Sequence, residues 1–185
     1  MNRETRHHYS DPLDVIWIEC ARQFGIAIER SSDVFAFYDG AGLLNIGTAD
    51  TLDPDDSLAQ MIFHELCHFL IQGPESIRLP DWGLDNDNPQ DIVREHACLH
   101  LQAKLADNFG LRNFFATTTD FRTYFNQLDQ DPLQNDCEAA EIAKAGFARA
   151  THGPNANALQ AALQATSQIL NITRPFADKR SLWTV

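Results

Sequence analysis

The chain has 185 residues, 44% of them hydrophobic and 22% charged, proportions of an ordinary soluble domain with a proper core. Its net charge of −12 comes without any basic run, which argues against a protein that tracks nucleic-acid phosphates. No apolar run nears the roughly 18 residues needed to cross a bilayer, and the polar residues 1–11 have no apolar segment behind them, which predicts no membrane span and no secretory signal.

In chain order, Ser10 or Asp11 caps a first helix with Pro12 in its opening turn, apolar positions at Val15, Ile16, Ile18 and Cys20, and Gly25 at its end. Residues 26–28 read as a short strand. Two apolar runs, 35–38 and 43–46, flank Asp39-Gly40-Ala41-Gly42, a hairpin signal in which glycines supply the turn. Asp53-Pro54-Asp55-Asp56 combines a cap, a first-turn proline and acids, and predicts the start of a helix that ends at Gly73-Pro74. A polar loop containing Trp82 follows over residues 75–89, and Asn88-Pro89 opens a third helix running to about 109. The remainder reads as helical: a short aromatic piece over 121–128, a helix capped by Asp136 and broken at Gly153-Pro154, and a last helix over 157–172. No internal repeat interrupts this order. It gives an α+β single domain of residues 1–185, with a core over 1–112 and a helical extension over 113–185.

Within the helix that ends at Gly73 stands His64-Glu65-Leu66-Cys67-His68, an H-E-x-x-H run. Residues four apart share a helix face, so His64 and His68 can grip one metal ion while Glu65 reaches a water beside it. That pattern suits zinc-assisted hydrolysis, in which the ion lowers the pKa of water and the carboxylate collects the proton. Such a site needs a third protein ligand. The helix opened by Pro89 offers Glu95, His96 and His100. At about 100° per residue, its apolar residues sweep an arc with Glu95 near the middle, while His96 and His100 project with Lys104 and Asp107 on the polar side. A carboxylate aimed into a core is costly unless a cation compensates it, so Glu95 is the expected third ligand. Glu65-x-x-His68 also has di-iron spacing. That alternative fails because position 98, three after Glu95, is cysteine.

The run from Asp11 to Asp107 resembles the IrrE/ImmA-like zinc metallopeptidases, a branch of the gluzincins. The shared pieces are an N-terminal helix closing in Phe24-Gly25, the strand and hairpin, the Asp53-Pro54 start, the H-E-x-x-H run and Glu95 leading an apolar helix. The resemblance implies a zincin-like domain with a small antiparallel sheet. It also implies His64, His68 and Glu95 as Zn²⁺ ligands, Glu65 as general base, and a peptide bond as substrate, often in a transcriptional repressor. Three departures stand out: cysteine at 67 in place of glycine, a long loop after the motif helix, and no carboxylate three or four residues after Glu95 to support a ligand histidine.

Other residues carry weaker expectations. Tyr124 and Arg122 are the candidates to steady an oxyanion. Trp82 either lines a substrate pocket or anchors its loop. The hairpin edge can pair with an extended peptide. Cys20, Cys67, Cys98 and Cys137 lack any C-x-x-C spacing and read as reduced thiols of a cytoplasmic protein, with Cys67 an inert core residue rather than a thiol that reaches the metal. The expected partner is a protein or peptide substrate, not nucleic acid or membrane. A metal-binding interaction module without turnover is the rival, against which the intact Glu65 weighs.

Overall fold

The computed structural model describes residues 6–85, 88–118 and 121–185. Residues 1–5, Asn86 and Asp87 of the expected loop, and Thr119 and Asp120 ahead of the aromatic helix lie outside them.

The first helix, α1 (Pro12–Gln23), is capped by the Asp11 carboxylate, which accepts from the Leu13 N–H at 2.8 Å. Its buried face differs from the expected one. Leu13, Trp17, Cys20 and Ala21 turn inward, whereas Val15 and Ile18 are 56% and 40% exposed. The arc is apolar on both sides, and burying the large Trp17 ring decides which side faces the core.

Three short strands follow: β1 (Ala27–Ser31), β2 (Ala36–Tyr38) and β3 (Leu43–Gly47). The hairpin pairs β2 with β3 as its turn requires, but β1 lies parallel to β3 on the other side, giving the order β1-β3-β2. The sheet is therefore mixed rather than antiparallel. Buried Leu44 and Ile46 alternate on one face of β3, the period-two pattern of a strand with one face in the core.

The motif helix is α2 (Leu58–Gln72), buried on nearly every side and the centre of the fold. It starts later than expected. Asp53 to Asp56 close a turn, with the Asp56 N–H on the Asp53 carbonyl at 2.9 Å, and Ser57 becomes the cap by accepting from the Gln60 N–H at 3.1 Å. Against α2 packs α3 (Pro89–Asp107), and behind both lies α5 (Glu138–His152). The Arg149 guanidinium of α5 donates to the Leu70 and Ile71 carbonyls at 2.6 and 3.1 Å, satisfying the open end of α2. The last helix, α6 (Ala156–Thr173), packs on α1, where the Trp17 Nε1–H donates to Thr166 Oγ1 at 3.0 Å. A short α4 (Arg122–Asn126) covers part of α3.

That cover corrects a second expectation. His100 is 1% exposed instead of solvated, with Nδ1 2.6 Å from the Pro132 carbonyl and Nε2 2.8 Å from the Tyr124 hydroxyl. His96 is half-buried and stacks on Tyr124, ring centroids 3.7 Å apart. The chain after α3 folds back over the side that looked polar, so periodicity located the face but not its covering. Among the described residues, no helix is long and apolar enough to cross a membrane.

Candidate metal centre

On α2, Gln60, His64 and His68 form one stripe, four residues apart. On α3, Glu95, Cys98 and Gln102 form the facing stripe. Packing the two helices brings the stripes together. His64 Nε2 and His68 Nε2 are 3.1 Å apart. Glu95 completes a triangle, with Oε1 3.4 Å from His64 Nε2 and Oε2 3.1 Å from His68 Nε2. Donors about 2.0–2.1 Å from one tetrahedral ion lie about 3.3 Å from each other, so these separations fit a shared metal.

His64, His68 and Cys98 also form a group that can hold a metal ion. Within it, Cys98 Sγ lies 3.8 Å from His64 Nδ1, whereas His68 and Glu95 meet the other ring nitrogen, Nε2. His64 Nδ1 already has a partner, Gln102 Oε1, at 2.8 Å. Gln102 is fully buried, and its Nε2 donates to the Phe115 carbonyl at 2.5 Å. That bond fixes the amide's orientation and makes its oxygen accept the His64 Nδ1 proton, which leaves the Nε2 lone pair for a ligand. The supporting carboxylate missing from the sequence is thus replaced by an amide seven residues after Glu95. Its signal was legible as a glutamine interrupting the apolar arc at helical spacing. Cys67 is fully buried and stands outside this convergence. Burial pushes the Cys98 thiol well up, with Cys67 beside it adding to the effect.

His68 and Glu95 hold each other charged. Burial alone would push the His68 imidazole down, but the Glu95 carboxylate, then Glu65 and Asp81, hold it up at about 9. Burial would likewise raise Glu95; the imidazoles of His68, His64 and His96 lower it to about 2. The His68–Glu95 pair thus holds a proton where a cation fits.

Neither a family model, nor a curated protein, nor a solved structure matches this chain.

The convergence opens into a cleft of about 480 Å³. Glu65, buried at 8% exposure, lines it and accepts from the Trp82 indole N–H at 2.7 Å. Trp82 combines the two roles open to it in the sequence, since it lines the cleft and is itself only 3% exposed. Ala36 of β2 and Phe35 just before it form another wall, while the Tyr38 N–H on that strand is taken by Asp81 Oδ1 at 3.1 Å. Tyr124 and Arg122 are placed elsewhere. The Tyr124 hydroxyl is engaged by His100, and Arg122 reaches Asn126 Oδ1 at 3.1 Å and the Thr117 carbonyl at 3.3 Å. Neither lines the cleft.

Proposed function

We propose that this chain is a zinc-dependent metallopeptidase with a zincin-like domain, in which His64, His68 and Glu95 hold Zn²⁺ and Glu65 is the general base. The observation that carries this reading is the triangle of two Nε2 atoms and the Glu95 carboxylate at 3.1 to 3.4 Å. Glu95 is preferred to Cys98 because it meets the Nε2 edges, whereas the thiol meets the Nδ1 edge that Gln102 occupies. A zinc ion bound there supplies Lewis acidity, activating a water and polarising a carbonyl. The chain's own residues do the rest. Gln102 orients His64. Glu65, one oxygen held by Trp82, takes a proton at the other and returns it to the leaving amine.

An extended peptide fits along the β2 wall at Phe35 and Ala36. Asp56, Asp81 and Asp91 add to Glu65 and Glu95 around the cleft, and among the described residues no Lys or Arg lines it, so peptides carrying basic residues are favoured. Four free thiols accord with a reducing, cytoplasmic setting. A regulatory protein remains the proposed source of the peptide, on the resemblance alone.

A second reading, a metal-holding interaction module without turnover, is favoured by one observation: the two expected oxyanion donors, Tyr124 and Arg122, do not line the cleft. One experiment separates the readings. Zinc-loaded protein is incubated with a peptide library and the products are read by mass spectrometry, alongside zinc analysis of variants. A hydrolase loses cleavage about 10²–10⁴-fold in Glu65→Gln with zinc retained; Glu95→Ala loses the zinc and Cys98→Ala keeps it. Zinc-loaded wild type that cleaves no peptide would select the module, and zinc lost from Cys98→Ala but not Glu95→Ala would overturn the ligand set.

A further inference from the structure

The loop between the two ligand helices reaches the cleft with the Trp82 ring, and its indole N–H lands on Glu65 Oε2 at 2.7 Å. Delivering that one hydrogen bond takes an unfavourable backbone. Asp81 and Trp82 are the non-glycine residues with positive φ among those described, at 45° and 60°. Left-handed conformations are unfavourable for L-residues, and they persist only where surrounding contacts impose them.

The imposing contacts come from the sheet edge. The indole lies flat on the Tyr38 ring, centroids 3.8 Å apart and planes 3° from parallel. The Asp81 carboxylate accepts from the Tyr38 N–H, and the Tyr38 hydroxyl donates to the Ile77 carbonyl at 2.8 Å. The hairpin turn sits so close below the loop that a Cβ at Gly40 would stand 2.8 Å from the Pro80 nitrogen. Strand β2 and its turn therefore clamp the loop, and the clamped loop holds one donor against the carboxylate.

An indole N–H only donates. It can fix a carboxylate oxygen without competing for the proton that the carboxylate must collect. Gln, Ser or His in that place would offer an acceptor as well.

We propose that Trp82 is the positioning residue of Glu65, holding Oε2 so that Oε1 is the oxygen that receives the proton. This rests on Glu65 being the base of the proposed hydrolase. It assigns the long loop after α2 a part in assembling the base, through Tyr38.

The test uses the full-length, zinc-loaded protein and acetohydroxamic acid as probe, so no natural substrate is needed. As the probe binds, its O–H bond breaks, the proton passes to Glu65, and the hydroxamate anion stays in the site. Calorimetry measures the affinity; zinc content and melting temperature are measured in parallel. Trp82→Phe keeps a ring over Tyr38 and removes the donor. It should weaken the probe about ten- to a hundredfold, the range for a lost hydrogen bond to a charged group, with zinc content intact. Glu65→Gln should weaken it at least as much, and the double variant no more than Glu65→Gln alone. Should Trp82→Phe lower the melting temperature by more than a few degrees, benzothienylalanine at position 82 removes the N–H while keeping the ring's shape. Parent-like affinity in that isostere or in Trp82→Phe, or losses that add in the double variant, would overturn the positioning role and leave the hydrolase reading standing. Parent-like affinity in Glu65→Gln would overturn both.

Discussion

Glu95 and His68 form the charged pair of the proposed metal site, 3.1 Å apart. In the metal-free protein the His68 pKa is raised from 6.5 to about 9, and that of Glu95 is lowered from 4.5 to about 2. The raised His68 contributes stability that is fully present below about 6.5 and is lost as pH climbs through about 9. The depressed Glu95 contributes stability present above about 4.5 and lost as pH falls through about 2. Both are fully in force only between those windows, from about 4.5 to about 6.5. At the proposed site zinc would have to displace the His68 proton, so its affinity should rise with pH over the range in which the pair weakens. Melting curves in the presence of a chelator should therefore fall from pH about 6.5 to about 9, while the zinc-loaded protein should not share that fall. Identical pH dependence of the two forms would show that the His68–Glu95 pair does not occupy the metal position.

The loop between α2 and α3 reads as polar in the sequence, and the structure shows its residues 77–82 clamped against β2 and the hairpin turn. Its attachment depends on Gly40, which has φ 73° and no room for a side chain beneath Leu79 and Pro80. Those neighbours are backbone atoms, so they cannot swing aside as a flexible side chain would. Gly40→Ala should then cost roughly 1–3 kcal/mol and release the loop. Differential hydrogen exchange would check this: protection should drop across residues 76–83 well before it drops in α2. Uniform loss of protection over the protein would instead mark Gly40 as a determinant of the hairpin alone. The same element logic explains the start of α2. Asp53 and Ser57 compete for the cap, and Ser57 takes it because the chain from Asp53 to Asp56 closes on itself first.

The C-terminal helices complete the core that α2 and α3 leave open. Leu159, Ala162, Leu163 and Leu170 belong to the same buried cluster as Trp17 and Phe63, and Arg149 caps the motif helix from across the interface. A second, smaller cluster of Leu99, Ala103, Ala116, Phe125 and Leu128 seals the other side of α3. A fragment ending at Ala116 would expose both surfaces and leave the α2 carbonyls without their guanidinium. Such a fragment should be insoluble or bind a hydrophobic dye strongly, and should not retain zinc. A soluble 1–116 fragment with one tightly held zinc would make the tail a separate module.

Much of this protein is legible one element at a time. The cap at Asp11 with Pro12 in the first turn, the glycine turn of the hairpin, the spacing of His64 and His68, and the inward aim of Glu95 are all consequences of backbone geometry within a few residues. They locate α1, the β2–β3 pair, α2 and α3, and they put the candidate ligands on facing stripes. What covers each face is a different kind of fact. His100 reads as solvated until α4 and the segment at Pro132 fold over it, and Val15 reads as core until Trp17 claims the inner face. The parallel placement of β1, the amide of Gln102 behind His64 and the indole of Trp82 on Glu65 likewise join residues from 16 to 38 positions apart. Periodicity fixes the direction of a side chain on its own helix or strand. Partners at such separations are chosen by packing, because the free energy of burying a face depends on which other surface comes to meet it.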